Sequence, residues 1–443
     1  MPQFELVLHP DYLIPIMPRR QILTAHSVAI KGGVIDSLLP RDQARQLNAE
    51  KHVELDGHAL LPGFINMHCH AAMALLRGYA DDLPLMTWLQ DYIWPTESAF
   101  ISADFVRDGT DLALADLIMG GTTTFSDHYF FPEIAAECAD RAGIRALLTF
   151  PVIDVKTAWA SNSEACINRG LALRDGYRDH PLIDVGFGPH STYMVSEATL
   201  ARIAMLADEL EAPVQIHLHE TRDEVLSAVE RTGERPIDYL ERIGLLGPRT
   251  HCVHMTALGQ QDIDAVALHR AHVVHCPRSN LKVGTQICPA QQLLNRGVNV
   301  ALGTDGAASG NRLSMMAEIQ MASMLGKTQE ADPRAVSAWT TLEMATLHGA
   351  RALGQESHLG SIEAGKSADL IALDLSGIQH QPMHDPVSSI VYAASGQEVT
   401  WSWVAGKPLL SNGQLQTLEQ TDVMARAQRW SDQLTAFRST LER

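Results

Sequence analysis

Between residues 61 and 350, short apolar runs alternate with longer stretches of helical period. No other feature constrains the fold as much. The runs fall at 60–67, 122–126, 146–150, 183–187, 214–218, 250–254, 273–275 and 298–303. Between them lie segments such as 196–210 and 223–243, whose apolar residues recur at helical spacing. Eight strands alternating with helices over about 290 residues predict parallel β/α units. The expected fold is α/β, a (β/α)8 TIM barrel.

The two ends of the chain read differently. Residues 4–8, 27–30 and 34–38 are short and strand-like, and Lys31-Gly32-Gly33 signals a hairpin between two of them. After about 352 short strands return, with a turn and strand across 360–374 and another strand and turn at 400–407. The β pieces of both ends predict one small β-sandwich domain, built from 1–60 and 352–415 around a barrel of 61–351. The stretch 422–441 is polar and helical by composition, so 416–443 is expected as a helical tail on the surface.

Composition narrows the partners. Of 443 residues, 46% are hydrophobic and 19% charged, as in a globular protein with an ample core. The formal net charge of -18 argues against a nucleic-acid backbone or an anionic membrane as partner. The six cysteines form no Cys-x-x-Cys pair, which argues against a thiolate zinc site and for a reducing compartment. The first residues carry no basic, apolar leader, and no run is long enough to span a membrane. The expected location is the cytoplasm.

In a barrel of this kind, chemistry collects at the C-terminal ends of the strands. His68 and His70 end the first run. In a strand, residues i and i+2 share a face, so the two imidazoles can reach one ion. One His-x-His is weak evidence in a chain with 20 histidines. However, His190 follows the fourth run, His217 ends the fifth, His254 the sixth, and Asp305 the eighth. Several strand ends carrying His or Asp predict a metal site.

The expected ligands are His68, His70, His217 and Asp305. Three imidazoles and a carboxylate suit Zn²⁺, one per subunit, with Fe²⁺ and Mn²⁺ as the other candidates. Such an ion lowers the pKa of a water it holds toward neutrality. His219 alternates with His217 and faces the other way in a regular strand. Glu220 follows at a position suited either to proton transfer or to starting the next helix. His254 and His190 are candidates for stabilising developing charge or holding polar substrate atoms. The fourth run ends without a lysine that could be carboxylated to bridge two ions, and Lys156 reads as a loop lysine. Both point to a mononuclear site.

The motifs Pro62-Gly63-Phe64-Ile65-Asn66-Met67-His68-Cys69-His70, His217-Leu218-His219-Glu220-Thr221, His251-Cys252-Val253-His254, Cys276-Pro277-Arg278-Ser279-Asn280 and Gly303-Thr304-Asp305-Gly306 resemble the amidohydrolase superfamily. Within it they resemble the aminohydrolase branch of chlorohydrolases and nucleobase deaminases. The stretch 72–97 is similar to the long loop after the first strand in deaminases of 5′-methylthioadenosine and S-adenosylhomocysteine.

That resemblance implies zinc-dependent hydrolytic deamination of a 6-aminopurine nucleoside. It implies that Glu97 contacts the ribose hydroxyls, that Trp88 packs near the purine or thioether, and that His190 and Glu220 hold the purine. Glu220, His254 and Asp305 would then carry the chemistry, with Asp305 serving both metal and substrate. From residues alone, Trp88 reads as core and Glu97 as a helix-start carboxylate. Arginines that some members place after the third strand are represented here only by Arg169. Guanine or pterin deamination and triazine dechlorination remain alternatives on the same scaffold. A silent scaffold is disfavoured because every expected ligand is present. Barrels of this type usually associate, so a dimer or tetramer is expected, with the apolar loop at 73–94 as a candidate cover for a neighbour's site.

Overall fold

The computed structural model describes residues 2–441. Eight parallel strands form one sheet in strict chain order: Phe64–Cys69, Thr122–Asp127, Arg145–Val152, Ile183–Pro189, Val214–Leu218, Thr250–His254, His272–His275 and Val300–Leu302. Every strand pairs with the next one in the chain, as right-handed β/α crossovers dictate. The sheet curls until its last strand meets its first. There the ladder gives way to individual bonds: Asp305 N–H donates to the His68 carbonyl (3.0 Å) and Asn66 Nδ2 donates to Thr304 Oγ1 (2.8 Å). The barrel is thus nearly closed.

The chain ends build a second, mixed sheet of nine strands. Phe4–Leu13 lies parallel to Ala49–Pro62, and that strand pairs antiparallel with Leu370–Asp374 from the far end of the chain. One face buries Leu8, Val28, Ile30, Leu55, Leu370 and Trp403 in a common cluster. Gly32 and Gly33 close the predicted hairpin with φ of 61° and 74°, a left-handed pair that glycine adopts without steric cost.

Two sequence expectations are corrected in detail. The apolar run at 60–67 is divided, because the strand ending at Pro62 belongs to the mixed sheet and Phe64 starts the barrel. Gly63 sits between them against Thr123, whose Oγ1 would lie only 2.0 Å from an added Cβ. The helix expected over 223–243 is two helices, Arg222–Thr232 and Pro236–Arg242. Gly233 (φ 79°) ends the first and Pro236 starts the second.

The tail is the helix Gln420–Leu441. Its Trp430 packs edge-on against Phe105 (5.2 Å between centroids), and its Phe437 against Phe100 (5.2 Å). Arg426 pairs with Asp108 and Asp111. The tail thereby backs the helix Trp94–Phe100, which carries Glu97. Among the described residues, no helix is long and apolar enough to cross a membrane.

Candidate active site

Four donor atoms converge where the first, fifth and eighth strands end. His217 Nε2 lies 3.3 Å from His68 Nε2. Asp305 Oδ1 lies 3.4 Å from His68 Nε2 and 3.2 Å from His70 Nε2. The tautomers follow from what the other ring nitrogens meet. His70 Nδ1 faces the carbonyl of His128 (2.5 Å) and His217 Nδ1 the carbonyl of His190 (2.8 Å). A carbonyl can only accept, so both Nδ1 atoms carry hydrogen. His68 Nδ1 faces Gln215 Oε1 (2.7 Å), and the Gln215 amide nitrogen is committed to the Met67 carbonyl (2.8 Å) and Ser126 Oγ (3.1 Å). His68 therefore also donates from Nδ1.

Three bare Nε2 lone pairs and a carboxylate oxygen thus face one another without a hydrogen between them. A cation at their centre turns that mutual repulsion into attraction. The distances of Asp305 from His68 and His70, and of His217 from His68, fit as well. Ligands about 2.0–2.1 Å from a tetrahedral ion are about 3.3–3.4 Å from each other. Of the expected ligands, His68, His70 and Asp305 form one cluster of potential ligand atoms, and His217 adjoins it through His68.

The remaining expected residues line one cavity of about 460 Å³ above these atoms: Trp88, Glu97, His190, Glu220 and His254, with His70, His217 and Asp305 at its floor. That volume is typical of a small-molecule site. Local folding aims each group. His254 (φ 77°) and Asp305 (φ 59°) adopt left-handed backbone where their strands end, a strained conformation that turns the side chains into the mouth. Glu220 precedes a capped helix start. Thr221 accepts from Glu224 N–H, and the Glu224 carboxylate accepts from the N–H of Glu220 (2.7 Å) and His219 (3.1 Å). Thr256 Oγ1 donates to the Glu220 carbonyl (2.6 Å).

Burial sets the charge states. It pushes the Glu220 carboxyl up to about 8, with the Asp305 charge adding to the effect, so Glu220 holds a proton at neutral pH. Burial also pushes Glu97 up to about 7, and holds His190 and His254 down at about 4, as neutral rings. Burial alone would raise Asp305, but the facing rings of His68 and His70 outweigh it and hold this carboxyl well below its usual range. Its second oxygen accepts from Ser279 Oγ and Ser309 Oγ. Asn280 Nδ2 donates to His254 Nδ1 (3.1 Å), leaving the His254 Nε2 hydrogen toward Glu220 Oε1 at 3.7 Å.

His219 stays out of the site, though not through strand alternation. Its strand ends at Leu218 and its own backbone is left-handed (φ 51°). The ring donates to the Ala257 carbonyl and accepts from Ile237 N–H, which satisfies both nitrogens. The apolar loop at 73–94 covers part of the protein's own cavity. Leu85, Trp88, Leu89 and Ile93 line it. Arg169 is engaged by Glu133 and the Trp159 ring, whereas Lys156 lines the cavity.

Sequence reasoning passed over Gln215, His128 and Tyr129. Gln215 shares a strand face with His217 by the same i, i+2 rule that paired His68 with His70. His128 and Tyr129 follow the second strand directly. The His128 ring stacks on that of His217 (5.0 Å, 15°), and its carbonyl holds His70.

A barrel with a floor of this kind, capped by a proton-holding glutamate, has the architecture of a metal-assisted hydrolase. The chain belongs to the amidohydrolase family, whose model matches residues 59–409. A 5-methylthioadenosine/S-adenosylhomocysteine deaminase of Teredinibacter turnerae is 48% identical over 432 residues, covering 97% of this chain and 98% of the relative. One of the same name from Saccharophagus degradans is 45% identical, covering 98% of each. The crystal structure of an adenosine deaminase from Xanthomonas campestris with bound zinc superimposes with a TM-score of 0.97 at 44% identity, covering 98% of this chain and 99% of that one.

Proposed function

We propose that this protein deaminates 6-aminopurine nucleosides bearing a small or thioether 5′ substituent, 5′-methylthioadenosine and S-adenosylhomocysteine above all, with adenosine as a further substrate. One observation carries the reading. His70, His217, Asp305 and Glu220, whose carboxyl burial pushes up to about 8, line the same cavity as the Glu97 carboxyl, the group assigned here to the ribose hydroxyls. The relatives' names and the zinc of the Xanthomonas structure support the chemistry.

His68, His70, His217 and Asp305 would hold Zn²⁺. When bound, it supplies Lewis acidity and lowers the pKa of a water toward neutrality. The chain's own residues do the rest. His190 and Glu220 hold the purine, Glu97 accepts from the ribose hydroxyls, and Trp88 packs against the flat or sulfur-bearing part of the ligand. Glu220 gives its proton to a ring nitrogen, which makes C6 electrophilic. Asp305 accepts a proton from the attacking water and His254 donates toward the oxygen it adds. Asp305 passes that proton to the amine, which leaves as ammonia, and the remaining proton of the added oxygen returns to Glu220. Water is consumed and a 6-oxopurine nucleoside results.

The test is ammonia release by the zinc-loaded protein on 5′-methylthioadenosine, S-adenosylhomocysteine, adenosine, guanine and a pterin. Turnover of the nucleosides with guanine and pterin inert is expected. Turnover of a free base alone would remove the ribose reading. We further assign the protein to the cytoplasm as a homo-oligomer, a dimer or tetramer. The unpaired state of all six buried cysteines supports a reducing compartment. A monomer in sedimentation at micromolar concentration would refute the assembly.

A further inference from the structure

Tyr129 has no part in the reaction as derived above, yet it touches the group that reads the sugar. Its hydroxyl donates to Glu97 Oε1 at 2.6 Å. The two side chains come from different loops. Glu97 lies in the helix Trp94–Phe100, within the long excursion after the first strand, and Tyr129 lies just past the second strand. This bond is therefore a tie across the cavity wall, and both residues line that cavity together with His70 and Trp88. Tyr129 is only 5% exposed, and its ring stands 6.2 Å from that of His70, against the metal floor. Burial and the adjacent Glu97 charge hold its phenol well above its usual range, so it stays a donor throughout the working pH range.

A free glutamate side chain rotates about its last bond and offers its oxygens in many directions. A vicinal diol needs both oxygens in one plane at once. We propose that Tyr129 is a specificity-determining positioning residue. By fixing Oε1 it sets the plane of the Glu97 carboxylate, so that Oε2 and the second lone pair of Oε1 meet the two ribose hydroxyls together. This role rests on the nucleoside reading above. Removing the phenol oxygen frees the carboxyl and takes away a donor that favours its ionised form, while leaving the aromatic wall in place. The loss therefore falls on binding of the diol and spares the chemistry at C6.

The experiment compares the zinc-loaded wild type with Tyr129→Phe, Glu97→Gln and the double variant. Substrates are 5′-methylthioadenosine and its 2′-deoxy and 3′-deoxy counterparts, with zinc content and melting midpoint checked for each protein. For Tyr129→Phe, KM for the ribonucleoside is expected to rise about tenfold with kcat within about twofold, as for one lost hydrogen bond to a charged group. The deoxy counterparts should change little, so discrimination collapses. The double variant should be no worse than Glu97→Gln alone, because Tyr129 acts through Glu97. Equal losses on all three substrates would show a merely structural role and overturn the proposal, as would no loss at all. A wild type inert on every nucleoside would remove the function and this role together. Wild-type turnover with discrimination intact in Tyr129→Phe would remove this role alone.

Discussion

Replacing Gln215 with methionine tests the metal centre through a residue that never touches the ion. Gln215 is fully buried and makes three bonds: it accepts from His68 Nδ1 (2.7 Å) and donates to the Met67 carbonyl (2.8 Å) and Ser126 Oγ (3.1 Å). Methionine keeps the length and volume and removes the amide. His68 then keeps a buried N–H with no acceptor, at a cost of about 1–3 kcal/mol. A metal on Nε2 makes the opposite N–H a stronger donor, so the loss weighs more on the loaded protein than on the empty one. Outer partners of ligand histidines are worth about 10–100-fold in affinity, or about 1.4–2.8 kcal/mol, in agreement with the first figure. Competition against a chromophoric zinc chelator at pH 7.5 should show zinc dissociation rising by that factor. The unchanged Met67 and Ser126 would also lower the melting midpoint of the metal-free protein. Zinc affinity within twofold of wild type would refute the assignment of His68 as a ligand oriented by Gln215.

Glu220→Gln should bind zinc as wild type does and lose about 10²–10⁴ in kcat, measured by ammonia release; undiminished turnover would end its proton-transfer role. Burial depresses His251 and His275 to about 3 and His348 to about 4. Their contribution to stability is complete above about pH 6.5, where both states are neutral, and is lost as pH falls toward 4, by up to about 1.4 kcal/mol per unit for each ring. The buried carboxyls of Glu220 and Glu97 act in the opposite sense over the same range, so the check is made by difference: below pH 6.5 the melting midpoint of chelator-treated His348→Asn should fall less on acidification than that of wild type, and parallel profiles would contradict it. Gly188→Ala should cost about 1–3 kcal/mol in denaturant unfolding, because its Cβ would lie 2.7 Å from the Thr149 carbonyl oxygen and 2.9 Å from His128 Nε2.

The parts of the molecule that were legible in the sequence are those written in short-range pattern. Apolar runs ending in His68, His217, His254 and Asp305 exposed the barrel and its floor together, since a buried strand must be apolar until it reaches the mouth. Gly32-Gly33 specified its turn, and the tail helix was readable from composition. What stayed hidden depends on distance in space. Gln215 looks like an ordinary strand residue until His68, from another strand, is brought to it. Tyr129 reads as a loop aromatic until Glu97 arrives. The helix break at Gly233 and Pro236 was visible in principle, but the apolar period continues across it. For His219 the expected outcome held for a different reason: the strand stops one residue earlier than regular alternation assumes.

The unladdered junction between the first and last barrel strands has one more implication. Of the four donors, His68 and His70 stand on one side of that junction and Asp305 on the other. An ion held by them fastens like the clasp of a bracelet, drawing shut a ring that the backbone leaves almost closed. Only a few bonds, such as Asn66 to Thr304, share that duty. During synthesis the clasp cannot close until residue 305 has emerged, so the barrel's last strand and its metal would be acquired in one act. When the metal is withdrawn, the ring should loosen first at this junction. Amide exchange would then quicken at 64–70 and 300–305 before it reaches the strands on the far side.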